Sequence, residues 1–338
     1  MLYSRVAIEG LAHVDAPERV TSHALEQEFE ETLSRLGQRP GLVQTLTGVV
    51  ERRFFPSQTQ PSDAATAAAR LALADAGVDA SQVGIIVNTS VCKDFIEPSI
   101  ASTVHGNLGL PPECLNFDIG NACLAFLNGM EVVATLIERG QLDYGLIVDG
   151  ENSRFAVRAT VERLCASSAT EQDLRDNFAT LTLGSGAAAM VLARSDRASK
   201  PHRFLGGVQL AASQHNSLCR GQPDRMTTDA GALLTAGVEL ASQTWQKAQR
   251  ELAWNADDLD LVVMHQVGST HSRTILERLG LDAQRAYLTF AQFGNIGPAA
   301  IPITLDKARA AGRIDAGDRV ALMGIGSGLN CAMMEVRW

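Results

Sequence analysis

The sequence predicts an α/β protein built from two duplicated halves. Short runs of buried β-branched residues alternate with alanine-rich or apolar helices, which is typical of parallel β-α units. Gly77–Thr89 and Ala253–His265 have equivalent patterns offset by 176 residues, and the helices that open at Asn121 and Asn295 are offset by 174. Because the two offsets nearly agree, one duplication explains both. Two such copies are expected to stack their sheets between layers of helices.

The first half is expected to contain a strand at 5–11, helical segments over 22–50, an alanine-rich helix at 64–76 and a strand at 83–87. Ser62 and Asp63 are placed to cap the alanine-rich helix, and Gly77 is placed to end it. After a loop at 89–97, Pro98 suits the first position of the next helix. The half continues with a strand at 115–119, a helix at 123–139 and a strand at 144–148.

Residues 151–180 are more charged, and we expect them to form a helical insertion before a strand at 181–194. Pro201 and the charges near it indicate a passage between the halves, so the predicted domains are 1–198 and 199–338. The second half is expected to repeat the first, with a helix at 241–253, a strand at 261–264 and a helix that ends near Ala311–Asp315 before a strand.

Composition excludes several classes of protein. The chain has 338 residues and a net charge of −9, so a nucleic-acid role has no electrostatic support and an anionic substrate needs a local basic patch. The N-terminus lacks the pattern of a signal peptide, and no apolar run approaches the ~20 residues of a membrane span. The six cysteines show no Cys-x-x-Cys spacing, which argues against a zinc or dithiol site. We expect reduced thiols in a cytoplasmic protein.

Cys123 stands where the strand 115–119 turns into the helix 123–139. The polar residues of this helix, Asn128, Glu131, Thr135 and Glu138, form one narrow stripe, so the helix is expected to be buried. Free amides and a partial positive charge at its first turn should lower the pKa of the thiol and make it a nucleophile. The alternative is that Cys123 is an inert packing residue.

His265 and Asn295 lie at matching places in the second half, His265 just after a strand and Asn295 at a helix start. Ligands of parallel sheets bind where strands end and the following helices begin, so pseudo-symmetry should bring these loops toward Cys123. A thiolate, an imidazole and a carboxamide form a sensible set for acyl transfer. Taken singly, His265 could be a structural histidine and Asn295 a helix cap.

A glycine-rich turn, Gly324-Ile325-Gly326-Ser327-Gly328-Leu329-Asn330, lies near the C-terminus. Glycines mark many tight turns, so the run alone is weak evidence. In a functional interpretation the turn presents a backbone amide to an oxyanion. It lacks the lysine and the spacing of a phosphate-binding P-loop.

These motifs together resemble the thiolase superfamily, specifically the ketoacyl synthase III-type condensing enzymes. They are Asn-Ala-Cys-Leu-Ala-Phe at 121–126, His265-Gln266, Gly294-Asn295 and Gly326-Ser327-Gly328, and they follow the order of the family along the whole chain. The resemblance implies a thiolase-like five-layered αβαβα fold, a homodimer and a Cys123-His265-Asn295 triad. It also implies an oxyanion hole formed by the amides of Cys123 and Ser327. Ser327 departs from the usual glycine, but a backbone donor tolerates that change.

One stretch narrows the resemblance. Asp94-Phe95-Ile96-Glu97-Pro98-Ser99 is similar to the OleA family, the condensing enzymes of long-chain olefin biosynthesis, as are Asp149–Glu151 and Gly324–Asn330. The resemblance implies that Glu97 reaches into the active site of the neighbouring subunit as a base. Considered alone, Glu97 could be a solvated loop carboxylate.

The implied reaction is a non-decarboxylative Claisen condensation of two long-chain acyl-CoAs to a 2-alkyl-3-ketoacyl-CoA, with other olefin-pathway enzymes as possible partners. It requires no metal or redox cofactor, only coenzyme A thioesters as substrates. Three alternatives stay open: a decarboxylating 3-ketoacyl synthase III that uses a malonyl thioester, a cysteine-dependent thioester hydrolase, and a non-catalytic scaffold. Arg220 and Arg225 lie in a loop that could meet the phosphates of CoA.

Overall fold

A computed structural model describes residues 1–338. The strands are β1 (Val6–Asp15), β2 (Glu18–Thr21), β3 (Glu51–Phe54), β4 (Val83–Asn88), β5 (Leu115–Asp118), β6 (Tyr144–Glu151), β7 (Gly186–Arg194), β8 (Arg203–Ala211), β9 (Cys219–Gln222), β10 (Arg225–Thr228), β11 (Leu261–Met264), β12 (Arg319–Gly326) and β13 (Asn330–Arg337). The α-helices are α1 (Ser22–Gln27), α2 (Glu30–Arg35), α3 (Leu42–Thr47), α4 (Pro61–Ala76), α5 (Ile100–Leu108), α6 (Ala125–Glu138), α7 (Arg154–Leu164), α8 (Glu171–Asn177), α9 (Ala230–Glu251), α10 (Ser269–Leu279), α11 (Phe290–Phe293) and α12 (Ala300–Ala310).

The strand order shows the duplication directly. One half of the sheet runs β5-β4-β6-β7-β1 and the other runs β8-β13-β12-β11, and they meet where Ala7 of β1 pairs with Arg203 of β8. The strands β1, β7, β6 and β4 therefore correspond to β8, β13, β12 and β11. A single bridge between Val262 and Ala286 marks the place that β5 holds in the first half. The domain boundary between 198 and 199 stays a prediction.

Three apolar clusters place the helices in layers. The central cluster packs α6 and α12 between the two halves of the sheet, using Leu261 and Val263 of β11. The neighbouring Val262 and Met264 point the other way, into an outer cluster with α9 and α10. A second outer cluster packs α4 against the far face of the first half. Because alternate residues of a strand face opposite sides, each sheet is covered on both faces. This arrangement confirms the predicted αβαβα layering.

The starts of the two central helices lie beside one another. A 3₁₀ turn at Ala122–Leu124 precedes α6, and a 3₁₀ turn at Gly297–Ala299 precedes α12. These two turns pack against each other at the centre of the molecule. The strand β5 before the first turn runs parallel to β4, and β4 runs parallel to β6. The site is therefore built where parallel strands end and the central helices begin.

Two predicted helix starts are wrong. The N-cap of α4 is Gln60, whose capping box closes on Asp63, and Ser62 is already inside the helix. The helix α5 begins at Ile100 because the Ser99 side chain accepts a hydrogen bond from the amide of Ser102, so Pro98 precedes the helix. A side chain that satisfies a free helical amide decides the start more firmly than proline does.

Two further helices, α9 and α6, do not begin where the sequence predicts. The predicted helix 241–253 is α9, which begins at Ala230 behind an Asp229 cap and buries only its second half well. Cys123 does not belong to an α-helix but to the 3₁₀ turn that leads into α6. The other predicted strands and helices are confirmed within a few residues, and the insertion 151–180 contains α7 and α8. No helix combines the length and the apolar character that crossing a membrane requires.

Candidate active site

The nucleophile turn is strained at the residue before Cys123. Ala122 has φ 45°, a left-handed conformation that residues with a Cβ seldom adopt and that clusters at functional sites. The residues that follow keep Ala122 in this conformation, because Leu124 and Phe126 are fully buried in the central cluster. The turn therefore fixes Cys123 at the entrance of α6.

The pKa of Cys123 is raised to about 12, mainly by burial and in addition by the nearby Cys219 and Glu151. The backbone amide of Cys123 itself acts in the opposite direction but is outweighed. The sequence-based expectation of a lowered thiol pKa is therefore wrong. Cys123 is half-buried, and a helix start stabilises negative charge by only a fraction of what the loss of hydration costs it. The resting residue is a thiol, and it must lose its proton when it reacts.

This raised pKa predicts how alkylation of Cys123 depends on pH. Because only the thiolate reacts with iodoacetamide, the rate should rise about tenfold per pH unit from pH 6 to 9 without a plateau. The measurement is the rate of mass gain at Cys123, mapped by peptide analysis, with the Cys123→Ala chain as the control. A plateau near neutral pH would contradict the burial effect and restore the helix-start interpretation.

His265 extends β11 by one residue, and its amide donates to the carbonyl of Met323 at 2.8 Å. The side chain is 4% exposed. The pKa of His265 is lowered to about 3, mainly by burial and in addition by the neighbouring His271, while the carbonyl of Gly297 opposes both effects. The imidazole is therefore neutral and can donate one N–H. Its Nδ1 has no hydrogen-bond partner within the chain.

The neutral histidine predicts a loss of stability in acid. In the unfolded chain the imidazole of His265 takes up a proton as the pH falls below about 6.5. In the folded chain it stays neutral down to about pH 3. Stability contributed by the neutral ring is thus present above pH 6.5 and decreases below it. Between pH 6.5 and 5, the free energy of unfolding of the His265→Gln variant should fall by roughly 1–2 kcal/mol less than that of the parent. Urea denaturation at both pH values measures this, and equal losses would contradict it.

Asn295 is clamped between two chain segments. Its amide donates to the carbonyl of Thr182 and its carbonyl accepts from the amide of Gly184, both at 2.9 Å. The side-chain Oδ1 accepts from the amide of Gly297 at 2.9 Å, but the N-cap of the following turn is Ile296, so Asn295 is not the helix cap. This bond orients the side-chain nitrogen, which has no partner within the chain, and leaves it able to donate to a ligand.

The predicted triad meets around Gly297. The ring of His265 lies at the Gly297 carbonyl, and the Asn295 side chain accepts from the Gly297 amide. A Cβ on Gly297 would lie 3.6 Å from the carboxyl carbon of Glu151, and Glu151 acts electrostatically on Cys123. The turns of Cys123 and Gly297 are in contact. The structure thus brings Cys123, His265 and Asn295 together, as the sequence predicts, while their catalytic roles stay predictions.

The glycine-rich turn packs directly on the nucleophile turn. Gly326 and Asn330 are paired at the end of the β12–β13 hairpin, so Ser327 lies in the tight connection. A Cβ on Gly326 would lie 3.2 Å from the carbonyl oxygen of Asn121 and 3.3 Å from the amide of Leu124. Glycine at this position therefore allows the two turns to approach closely. The amides of Cys123 and Ser327 belong to adjoining turns, as an oxyanion hole requires.

Glu97 lies apart from this cluster. It belongs to the exposed loop between β4 and α5, and its side chain makes no hydrogen bond or ion pair within the chain. Its neighbours Phe95 and Ile96 are 61% and 103% exposed. A loop that projects two large apolar residues is unusual for a surface that faces only water. Within one chain, Glu97 does not join the triad.

Arg220 and Arg225 lie on the β9–β10 hairpin. Arg220 is paired with Thr227 and Arg225 with Gln222, so the two arginines share one face of the hairpin. Both are exposed and neither forms a salt bridge. Cys219 lies on the opposite face of the hairpin and is close enough to Cys123 to act on it electrostatically. The arginines are therefore exposed cations on the face of the hairpin opposite to Cys219, and CoA binding by them stays a prediction.

The sequence indicates Asp149 and Glu151, at the end of β6, only as part of the family resemblance, and it assigns no role to these two buried carboxyl groups. Asp149 accepts from the hydroxyl of Thr89 at 2.6 Å. Glu151 accepts from the amides of Val91 and Cys92 at 2.6 and 3.1 Å. Burial raises the pKa of both carboxyl groups. Glu151 thus anchors the base of the loop that carries Glu97. Two acidic residues at the end of an otherwise apolar strand were the available signal.

Comparisons with known proteins agree with this geometry. The family 3-oxoacyl-[acyl-carrier-protein] synthase III matches residues 117–211, and the family of its C-terminal part matches residues 250–338. The chain is 46% identical over 338 residues to the acyl-CoA:acyl-CoA alkyltransferase of Xanthomonas campestris, covering 100% of both proteins. It is also 36% identical to the enzyme of the same name from Shewanella oneidensis, again over 100% of both. The chain belongs to the OleA family of the thiolase superfamily.

Solved structures of OleA from X. campestris match the whole chain. The cerulenin-bound enzyme has a TM-score of 0.99 at 46% identity and covers 100% of this chain and 98% of its own. A cysteine-to-serine variant with bound lauric acid and lauroyl-CoA has a TM-score of 0.98 at 45% identity, with 100% of both chains covered. By contrast, the β-ketoacyl-[acyl-carrier-protein] synthase III of Rhodospirillum rubrum is 30% identical over 98% of this chain and 99% of its own.

Proposed function

We propose that this protein condenses two long-chain acyl-CoAs without decarboxylation and releases a 2-alkyl-3-ketoacyl-CoA. The observation that carries the proposal is the cluster of Cys123, His265 and Asn295 around Gly297 in a chain that matches OleA over its full length. The chemistry needs an acyl-enzyme, a carbanion and a place for each negative charge that develops.

The first half-reaction forms the acyl-enzyme. The sulfur of Cys123 loses its proton and attacks the thioester carbonyl of the first acyl-CoA, and the C–S bond to CoA breaks so that CoA leaves as the free thiol. The amides of Cys123 and Ser327 receive the oxyanion. Backbone donors suit this role because adjoining, buried turns hold them in place before the substrate arrives. The OleA structure that holds lauric acid and lauroyl-CoA supports acyl-CoA as the substrate class.

The second half-reaction makes the carbon–carbon bond. Glu97 of the partner subunit removes an α-proton from a second acyl-CoA, and the carbanion attacks the acyl-cysteine. The thiolate of Cys123 then leaves and regains a proton. When substrate binds, the neutral imidazole of His265 turns its one N–H from the Gly297 carbonyl to the enolate oxygen, and the side-chain N–H of Asn295 donates to the same oxygen. Two neutral donors stabilise an enolate without the cost of a buried permanent charge.

The action of Glu97 across subunits requires a homodimer. Phe95 and Ile96 are exposed beside Glu97, and Leu115 and Phe117 of the sheet-edge strand β5 are exposed as well. The loop and this strand are joined by the ion pair of Lys93 with Asp118 at 2.5 Å. Exposed apolar residues on an edge strand mark a surface that pairs with another chain. This patch supports a dimer in which the loop of one chain reaches the other.

All six cysteines are free, which supports a reducing, cytoplasmic location. We propose no metal or redox cofactor.

The test compares donors of the second acyl group. The protein is incubated with myristoyl-CoA alone, or with myristoyl-CoA and malonyl-CoA, and the thioester products are separated and weighed by mass spectrometry. We expect a condensed thioester from two myristoyl groups without malonyl-CoA. Dependence on malonyl-CoA would assign a decarboxylating synthase. Myristate without any condensed product would assign a thioester hydrolase, and absence of any acylation of Cys123 would assign a scaffold.

A further inference from the structure

The polar stripe of the central helix α6 forms part of a chain of hydrogen bonds that begins at the glycine-rich turn. Asn330 Nδ2 donates to Asn121 Oδ1 at 3.0 Å, and Asn121 Nδ2 donates to Asn128 Oδ1 at 2.7 Å. Asn128 Nδ2 donates to Gln209 Oε1 at 3.1 Å, and Gln209 Nε2 donates to the carboxyl group of Glu131. We call these five residues the amide chain.

The amide chain connects the two halves of the fold. Asn121, Asn128 and Glu131 come from the first half, whereas Gln209 lies on β8 and Asn330 begins β13 of the second half. The carboxyl group at its end is buried, since Glu131 is 6% exposed. Each carboxamide between the ends both accepts and donates once. Loss of one member therefore leaves a donor and an acceptor unpaired on its two neighbours.

The first bond of the amide chain links the two turns that carry the proposed oxyanion donors. Asn121 stands two residues before Cys123, and Asn330 follows the turn that contains Ser327. Gly328 has φ 139°, and a Cβ there would lie 2.5 Å from Asn330 Nδ2. The side chain of Asn330 thus packs against the turn that contains Ser327. Fixing Asn330 to Asn121 fixes one turn relative to the other.

We propose that Asn128 and Gln209 are positioning residues that hold the backbone amides of Cys123 and Ser327 at the separation an oxyanion requires. An oxyanion hole depends on donors placed within a few tenths of an ångström before the charge develops. Asn128 and Gln209 act by orienting Asn121 and touch no reacting atom. This inference rests on the proposed function, because it assigns those two amides to the oxyanion.

The amide chain explains why a helix between two sheets carries polar side chains, which burial alone does not explain. A helix between two sheets could carry leucine at position 128 and pack at least as well. Four carboxamides instead occupy the contact between the halves beside the nucleophile turn. Glu131 is buried and the four carboxamides are half-buried, and a polar network specifies one arrangement of its surroundings when every member is satisfied. Here the arrangement that they specify is that of the two turns.

The experiment separates oxyanion stabilisation from thiol reactivity in the full-length Asn128→Leu variant. Acylation by myristoyl-CoA passes through an oxyanion, whereas alkylation by iodoacetamide does not. We expect the burst of CoA release to slow by roughly 10- to 100-fold with an unchanged KM. Alkylation of Cys123 at the same pH should stay within about twofold of the parent, because the thiol and its burial are untouched.

Two further variants complete the test. Thr135→Val removes a polar group from the same stripe outside the amide chain and should leave both rates unchanged. Gln209→Met breaks the chain from the other half and should slow acylation selectively, which keeps the test decisive if Asn128→Leu fails to fold. Acylation and alkylation that fall together, or acylation that is unchanged in both chain variants, would overturn the proposal. Failure of the parent to couple two acyl groups would reject the proposed function without affecting this comparison.

Discussion

Replacing Glu97 with glutamine is expected to lower condensation by roughly a thousandfold, because a positioned general base contributes on this scale. The burst of CoA release that reports acyl-enzyme formation should persist, since the Cys123 turn contains no part of the Glu97 loop. Rapid quenching with myristoyl-CoA measures both quantities, the acyl-enzyme by intact mass and the condensed thioester by chromatography. The expected result is an acylated protein that cannot turn over.

The matched control is Glu113→Gln, which neutralises another exposed carboxylate and should change neither step. Mixing the Glu97→Ala chain with the Cys123→Ala chain tests the action across subunits. If dimers exchange at random, half are mixed and each contains one complete site, so activity should recover to roughly a quarter of the parent. No recovery in demonstrably mixed dimers would contradict a base supplied by the partner.

Substitution of His265 or Asn295 by alanine is expected to give the second-largest loss, roughly 100- to 1,000-fold in condensation. Each change removes one donor from the enolate oxygen, and the buried site admits no easy replacement by water. Acylation should change far less, because its oxyanion is received by the amides of Cys123 and Ser327. Single-turnover reaction of pre-formed acyl-enzyme with a second acyl-CoA isolates the affected step.

His271→Gln provides the control for this prediction. His271 is adjacent to His265 and its pKa is also lowered by burial, to about 4, but it is assigned no contact with substrate. Its replacement should cost less than tenfold in condensation. Equal losses of acylation and condensation in His265→Ala would contradict a role confined to the enolate and would point to an activation of the thiol by His265.

The fold was largely predictable because its signals are local. Short apolar runs rich in valine and isoleucine, such as 83–87 and 261–264, form buried strands, and the repeat at Gly77 and Ala253 forms two equivalent half-sheets. Helix starts were less predictable. Competing caps lie within one or two residues of each other, as Ser99 and Pro98 do, and only the hydrogen bond that forms decides between them.

Some features of the site could likewise be predicted from the sequence and others could not. The positions of Cys123, His265 and Asn295 follow from the duplication, so they could be named from the sequence. The sign of the pKa shift at Cys123 could not, because it depends on how many atoms of the other half exclude water from the sulfur. The contacts of Glu151 and the hydrogen bonds of the amide chain could not be predicted for a related reason. Their partners, such as Gln209 for Asn128, are distant in sequence and only the fold brings them together.

The most direct test of the central claim is the ratio of free CoA released to myristoyl-CoA consumed by the purified protein over many turnovers. Condensation without decarboxylation keeps one CoA on the product, so we predict one free CoA for every two myristoyl-CoA molecules consumed. A ratio of one to one, with myristate as the accompanying product, would contradict the account and leave a protein that only transfers acyl groups to water.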